Sequence, residues 1–188
     1  MVDVQNDFCP GGSLAVPDGN AVVEPLNILS KRFFDAGALV VVTQDWHPSG
    51  HSSFVESGGI WPEHCVQGTE GARLYKELNT DCVHFFLRKG WRTNVDSYSS
   101  FFENDKITTT GLEGFLRSGT GIGSVFVGGL ATDYCVLYTL LDAVRLGFKA
   151  FLLKDAVRGV DYPTGSVEKA LKRMQDAGVQ LIPSGTLL

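Results

Sequence analysis

The sequence lacks the features that mark several large classes of protein. It has no run of lysine or arginine and its net charge is −5, which disfavours nucleic acid or an anionic membrane as the main partner. No apolar stretch is long enough to span a bilayer, and no signal peptide opens the chain, so we expect a cytoplasmic protein. Repeats and linkers are also absent, and a length of 188 residues predicts one globular domain over 1–188.

Cysteine is scarce, and its spacing excludes the common cysteine motifs. No Cys-x-x-Cys pair occurs, so zinc ribbons and thioredoxin-type redox sites have no support. An even count would allow two disulfides, but without a secretory signal free thiols are favoured. The four cysteines are Cys9, Cys65, Cys82 and Cys135.

Apolar, β-rich runs alternate with helical patterns along the chain. We predict strands at residues 38–43, 82–87, 124–128, 148–153 and 179–182, and helices at 20–36, 110–117, 133–146 and 163–177. Strands separated by single helices indicate a parallel sheet with helices on both faces. Residues 1–3 would form the end of a first strand, with almost nothing before it. Residues 44–72 form a long loop, which in a compact domain is usually functional.

Three residues of different chemistry fall at the carboxyl ends of three predicted strands. These are Asp3, Lys89 and Cys135. Each has an ordinary structural explanation: a turn carboxylate, a solvated lysine and a buried packing cysteine. The carboxyl ends of parallel strands share one edge, however, so the three side chains could converge. An acid, a base and a thiol in one crevice suffice for nucleophilic acyl transfer.

Cys135 lies where a buried strand passes into a helix. Thr132 or Asp133 is a plausible cap for that helix, which would put Cys135 in its first turn. There the unpaired N–H groups and the positive end of the helix dipole would lower the thiol pKa and offer donors to an oxyanion.

Three of the four histidines crowd into the long loop. Asp45 and His47 follow the second strand, and His64 comes 17 residues after His47. One carboxylate and two imidazoles suit zinc, iron or manganese, although solvated loop histidines are the plain alternative. His51 or Glu56, which lie between, could add a ligand.

Five segments, in order, resemble the nicotinamidases, within the isochorismatase-like hydrolases. They are Val2-Asp-Val-Gln-Asn-Asp-Phe-Cys-Pro-Gly-Gly12, Gln44-Asp-Trp-His-Pro48 with His51-Ser-Ser-Phe54, Trp61-Pro-Glu-His-Cys-Val-Gln-Gly-Thr69, Lys89-Gly90 with Asp96-Ser-Tyr-Ser-Ser-Phe101, and Gly128-Gly-Leu-Ala-Thr-Asp-Tyr-Cys-Val136. The resemblance covers nearly the whole chain. It implies an α/β three-layer sandwich with about six mostly parallel strands.

The resemblance also implies an activity, hydrolysis of nicotinamide to nicotinate and ammonia through a cysteine thioester, in NAD salvage. The implied site residues are catalytic Asp3, Lys89 and Cys135, an oxyanion hole from the N–H groups of Ala131 and Cys135, ring-binding Phe8, Trp61 and Tyr98, and metal ligands Asp45, His47 and His64. The metal would be one divalent ion, zinc first, with iron or manganese as alternatives. A cis peptide is implied at Leu130–Ala131.

Two departures from the family and several rival functions stay open at this point. The first strand is short, and the loop between His47 and Trp61 is shorter than in many relatives. A related cysteine amidohydrolase could act on a carbamoyl or ureido substrate without needing the metal ligands. A vinyl-ether hydrolase would not need Cys135, and an inactive binding module would need none of the site. The sequence leaves open whether the chain forms a homo-oligomer.

Overall fold

The computed structural model describes residues 1–118 and 121–187. Its five strands are β1 Val41–Asp45, β2 Phe85–Lys89, β3 Ser124–Leu130, β4 Lys149–Arg158 and β5 Gln180–Ile182. Its four α-helices are α1 Val23–Asp35, α2 Leu112–Arg117, α3 Leu137–Arg145 and α4 Ser166–Asp176. A π-helical turn at Thr132–Val136 precedes α3, and 3₁₀ turns lie at Asn6–Phe8, Gly19–Val22, Val55–Ser57 and Ser184–Leu187.

The first helix shows how local sequence sets element boundaries. The predicted start at Asn20 is instead a 3₁₀ turn that runs into α1. Pro25 lies in the first turn of α1, where a missing N–H costs no intrahelical bond. Gly37, with φ of 74°, follows the end of the helix, as predicted.

Residues 1–3 join two groups of parallel strands. β1 pairs with β2, while β3, β4 and β5 pair in that order. On one side, Val2 N donates to Gly128 O and Leu130 N donates to Val2 O, each at 2.8 Å. On the other side, Thr43 N donates to Met1 O at 3.0 Å. Residues 1–118 and 121–187 therefore contain five strands where about six are predicted, and this short segment lies between the two groups.

The sheet carries helices on both faces, as the predicted three-layer sandwich requires. Leu26 and Leu29 of α1 belong to one buried cluster, while Leu140 of α3 and Met174 of α4 belong to another. All four cysteines are free and buried, which confirms the prediction of free thiols. Across residues 1–118 and 121–187, no helix has the length and apolar character needed to cross a membrane.

An apolar cavity of about 470 Å³ lies between the amino-terminal halves of β1 and β3. Met1, Leu39, Val41, Val125 and Val127 are among its lining residues. The polar residues described next lie toward the carboxyl ends of these strands, and Thr43 both lines the cavity and contacts that polar group.

Candidate active site

Asp3 lies at the end of the short amino-terminal segment, fully buried between β1 and β3. Its backbone adopts the left-handed region, with φ of 47°, which is uncommon for a residue other than glycine. Thr43 on the adjacent β1 donates its hydroxyl to Asp3 Oδ1 at 2.5 Å. The carboxylate is thus held from one side, and its second oxygen faces Lys89.

Lys89, the last residue of β2, is the centre of a buried polar cluster. Lys89 is only 1% exposed. Its ammonium nevertheless has four polar partners. Nζ lies 2.8 Å from Asp3 Oδ2 and 2.5 Å from Asp45 Oδ1. It also donates to Ser97 O at 2.7 Å and lies 3.4 Å from Cys135 Sγ. The predicted convergence of Asp3, Lys89 and Cys135 at one edge of the sheet is therefore present in the structure.

Cys135 lies in the π-helical turn Thr132–Val136, directly after β3. The preceding Leu130–Ala131 peptide is cis, as the resemblance implied. The expected cap is absent: the residue before the turn is Ala131, and no side chain caps it. Asp133 does not cap the helix because its carboxylate accepts hydrogen bonds from residues 160–166 instead.

The expectation of a lowered thiol pKa at Cys135 is wrong. Burial raises the pKa of the Cys135 thiol well above its usual value, and the nearby Lys89 ammonium only partly opposes this. A hydrogen bond to Asp3 raises it further. Burial also raises the pKa of Asp3, although Lys89 acts in the opposite direction. The direction of both shifts favours a protonated thiol at rest, beside the Asp3 carboxylate.

Lys89 stays charged in spite of its burial. Desolvation alone would lower the pKa of its ammonium, but Asp3 and Asp45 together raise that pKa well above the usual value. For Asp45, desolvation alone would raise the carboxyl pKa, but Lys89 and His47 outweigh it and hold that pKa well below its usual range. One ammonium thus forms ion pairs with two buried carboxylates.

Asp45, His47 and His64 form a compact donor set beside this cluster. One ligand atom from each lies within 4.8 Å of the other two. His47 Nδ1 lies 2.8 Å from Gly90 O and His64 Nδ1 lies 2.7 Å from Pro62 O. A carbonyl can only accept, so both Nδ1 atoms carry hydrogen and both Nε2 lone pairs are available to a metal. The donor set therefore fits a divalent metal such as zinc.

Glu56 does not join this donor set because it is exposed. His51 stacks on His47 with ring centroids 4.1 Å apart, and it forms a second possible metal group with His47 and Asp96. Its Nδ1 accepts from Ser53 and its Nε2 faces the carbonyl of Val95 at 3.3 Å, so both ring nitrogens are engaged. Asp45, His47 and His64 are therefore the favoured candidate ligands.

The predicted ring-binding aromatics lie around the same site. Phe8 packs against His64 with ring centroids 5.5 Å apart. Trp61 is buried, and its Nε1 donates to the hydroxyl of Tyr98 at 2.9 Å. Tyr134, which the sequence interpretation omitted, contacts both Trp61 and Tyr98.

Sequence reasoning missed two further members of the site. Thr43 could have been found, because it lies two residues before Asp45 and shares its face of the strand. Ser97 contributes a backbone carbonyl to Lys89, which no residue pattern reveals.

Comparison with known proteins gives a consistent result. The isochorismatase domain matches residues 1–185. A nicotinamidase of Acinetobacter baylyi is 39% identical over 204 aligned positions, covering 100% of this chain and 92% of that protein. The structure of an Acinetobacter baumanii nicotinamidase matches with a TM-score of 0.94 and 43% identity, covering 100% and 95% of the two chains.

A third relative bears on the metal. The structure of a Pyrococcus horikoshii pyrazinamidase in complex with zinc matches with a TM-score of 0.86 and 41% identity, covering 97% of this chain and 96% of that one. The match spans nearly the full length of both proteins. The chain therefore belongs to the isochorismatase family, and its relatives within that family include nicotinamidases.

Proposed function

We propose that this protein is a nicotinamidase, an amidohydrolase that converts nicotinamide to nicotinate and ammonia and so serves NAD salvage. The observation that carries the proposal is the buried cluster in which Lys89 Nζ lies within 3.4 Å of Cys135 Sγ and 2.8 Å of Asp3 Oδ2, beside a metal-ligand set. A thiol, a proton acceptor and a fixed positive charge are what acyl transfer through a cysteine requires.

In the proposed reaction, Asp3 accepts the thiol proton as Cys135 Sγ attacks the carboxamide carbon. Lys89 stabilises the negative charge that moves from the Asp3 carboxylate to the oxyanion within this buried site. The backbone N–H groups of Ala131 and Cys135 are the proposed donors to the oxyanion. The C–N bond then breaks, and the leaving nitrogen takes the proton from Asp3 and departs as ammonia. Water attacks the thioester with Asp3 as base, which releases nicotinate and restores the thiol.

The raised thiol pKa is compatible with this sequence of steps. A thiolate at rest would add a further negative charge to the two buried carboxylates, which costs free energy. Transfer of the proton to Asp3 during attack keeps the net charge of the cluster constant. Lys89 contacts both the donor and the acceptor, so its charge stabilises both states.

We assign the metal to Asp45, His47 and His64, with zinc as the first candidate because the Pyrococcus relative binds it. Such an ion would act as a Lewis acid that holds the pyridine nitrogen and polarises the ring. The aromatic side chains Phe8, Trp61 and Tyr98 are the proposed walls for the ring.

The experiment is ammonia release by purified protein, supplied with zinc or treated with a chelator. We expect turnover of nicotinamide by the zinc-loaded protein and poor turnover of benzamide, which lacks the ring nitrogen. A ureido compound is the third substrate, because a related amidohydrolase without a metal requirement would prefer it. Equal discrimination between nicotinamide and benzamide with and without zinc would exclude Asp45, His47 and His64 as the ring-recognition site.

A further inference from the structure

The carboxylate of Asp133 forms a link that the reaction above does not use. It is 6% exposed and lies two residues before Cys135. Oδ1 accepts from Val160 N at 3.0 Å, and Oδ2 accepts from Asp161 N at 2.9 Å and from the Ser166 hydroxyl at 2.5 Å. One buried side chain thus ties the segment that carries Cys135 to the loop between β4 and α4.

That loop, residues 159–166, is held closely against Asp133. A Cβ on Gly159 would lie 3.0 Å from Asp133 Oδ1 and 2.2 Å from Val167 Cγ2, so a larger residue there would displace these side chains. Asp161 has φ of 54°, and its own carboxylate accepts from Gly165 N at 2.9 Å. Asp161 therefore forms a hydrogen bond within the loop, and Asp133 binds the loop from outside it.

The loop reaches the aromatic wall through Tyr162. The carbonyl oxygen of Tyr162 accepts the hydroxyl of Tyr134 in a short hydrogen bond. The Tyr134 ring in turn meets Trp61 edge-on, with centroids 4.8 Å apart and planes at 85°. The ring of Tyr162 lies 6.3 Å from that of Trp61. The position of the loop therefore determines how Tyr134 packs on Trp61.

We propose that Asp133 is a positioning residue that fixes the loop 159–166 so that Tyr134 and Tyr162 close the outer side of the substrate pocket. This proposal rests on the proposed function, because the pocket is the one assigned to nicotinamide. Asp133 does not contact the reacting atoms of the cluster around Lys89. Its loss should therefore weaken substrate binding more than it slows the chemical step.

The same structure supplies a control carboxylate that stabilises a neighbouring segment away from the aromatic wall. Asp155 on β4 also accepts from a backbone N–H and a serine hydroxyl, both of Ser184. No described contact joins Asp155 to the aromatic wall. Asp155 is exposed and accepts two hydrogen bonds where the buried Asp133 accepts three, so Asp155→Asn should cost the fold less and should not move Tyr134.

The experiment compares zinc-loaded wild type, Asp133→Asn, Tyr134→Phe and Asp155→Asn at a temperature where circular dichroism shows all four folded. We expect Asp133→Asn to raise KM for nicotinamide about tenfold, and Tyr134→Phe about threefold, with kcat within about threefold of wild type. Asp155→Asn should leave KM unchanged. An equal KM in Asp133→Asn and Asp155→Asn would overturn the proposal, as would a fall in kcat without a change in KM.

A second readout does not depend on turnover. In chains that also carry Trp46→Phe and Trp91→Phe, Trp61 is the one remaining tryptophan, and it is 5% exposed. Asp133→Asn should increase acrylamide quenching of its fluorescence, while Asp155→Asn should not. Unchanged quenching in Asp133→Asn would refute the positioning role. If wild type released no ammonia from nicotinamide, the proposed function would fail, and quenching would decide the role of Asp133 separately.

Discussion

At the scale of single residues, the buried ammonium of Lys89 is the feature on which the site depends. Two carboxylates, a carbonyl and a thiol surround it, and each of the four partner residues is buried. Removing one partner of such a group leaves the others as uncompensated buried charges. The same arrangement that places charge for catalysis therefore also contributes to the stability of the native state.

Lys89→Met should accordingly lower the free energy of unfolding by about 3–5 kcal/mol, because Asp3 and Asp45 lose their shared counter-charge. Urea denaturation of metal-free protein measures this loss. Adding Asp3→Asn should restore part of the stability without restoring activity. Lys31→Met is the control: Lys31 forms an exposed pair with Asp35, so we expect no measurable change in the free energy of unfolding. Equal effects at Lys31 and Lys89 would contradict the buried-pair interpretation.

Much of the residue-level site could be predicted from the sequence, since side chains at the carboxyl ends of parallel strands meet at one edge. Asp3, Lys89 and Cys135 were grouped correctly on that basis. The thiol pKa was predicted in the wrong direction because it depends on the depth of burial, which a sequence pattern does not give. Thr132 and Asp133 both fit a helix cap by position alone, and the sequence does not reveal that the partners of Asp133 lie 27 or more residues away.

At the scale of elements, the close approach of residues 1–3 to β3 places Asp3. Gly129 makes this approach possible: its φ is 125°, and a Cβ there would lie 2.1 Å from Val2 O. The glycine therefore has a conformational and a steric role at once. The parallel sheet follows from the alternation of helices and strands, but the pairing of residues 1–3 with two neighbours does not, because three residues are too few to show a strand pattern.

Gly129→Ala should displace residues 1–3, lower stability by about 2–4 kcal/mol and abolish most activity by moving Asp3. Thermal unfolding and ammonia release measure the two effects. Gly123→Ala is the matched control, because a Cβ at Gly123 would meet no atom within 4 Å. A Gly129→Ala protein as active and stable as Gly123→Ala would show that the close approach is not needed.

At the scale of the whole molecule, the metal should couple the long loop to the rest of the fold. Asp45 ends β1, whereas His64 lies beyond the turn at Val55–Ser57, so one ion would join parts of the chain far apart in sequence. A ligand that binds only the native state stabilises it by mass action, about 2.7 kcal/mol at a concentration one hundred times Kd. The family and fold were predictable from the sequence, while the single domain over 1–188 stays a prediction.

Zinc should therefore raise the unfolding midpoint of the metal-free protein, and His47→Ala should remove this response. Differential scanning calorimetry with and without zinc measures it. His84→Ala is the control, because His84 is exposed and contacts Val40 and Phe34 rather than the donor set. A zinc-dependent shift that survives His47→Ala would place the metal elsewhere.

The proposed reaction depends on Cys135 as the nucleophile that attacks the amide carbon of nicotinamide. The most direct measurement is mass spectrometry of zinc-loaded protein that is quenched in acid during turnover and then digested. We expect one nicotinoyl group, in thioester linkage, on the peptide that contains Cys135, and loss of both adduct and ammonia release by several orders of magnitude in Cys135→Ala. An adduct on Cys9, Cys65 or Cys82, or steady turnover by Cys135→Ala, would contradict the claim.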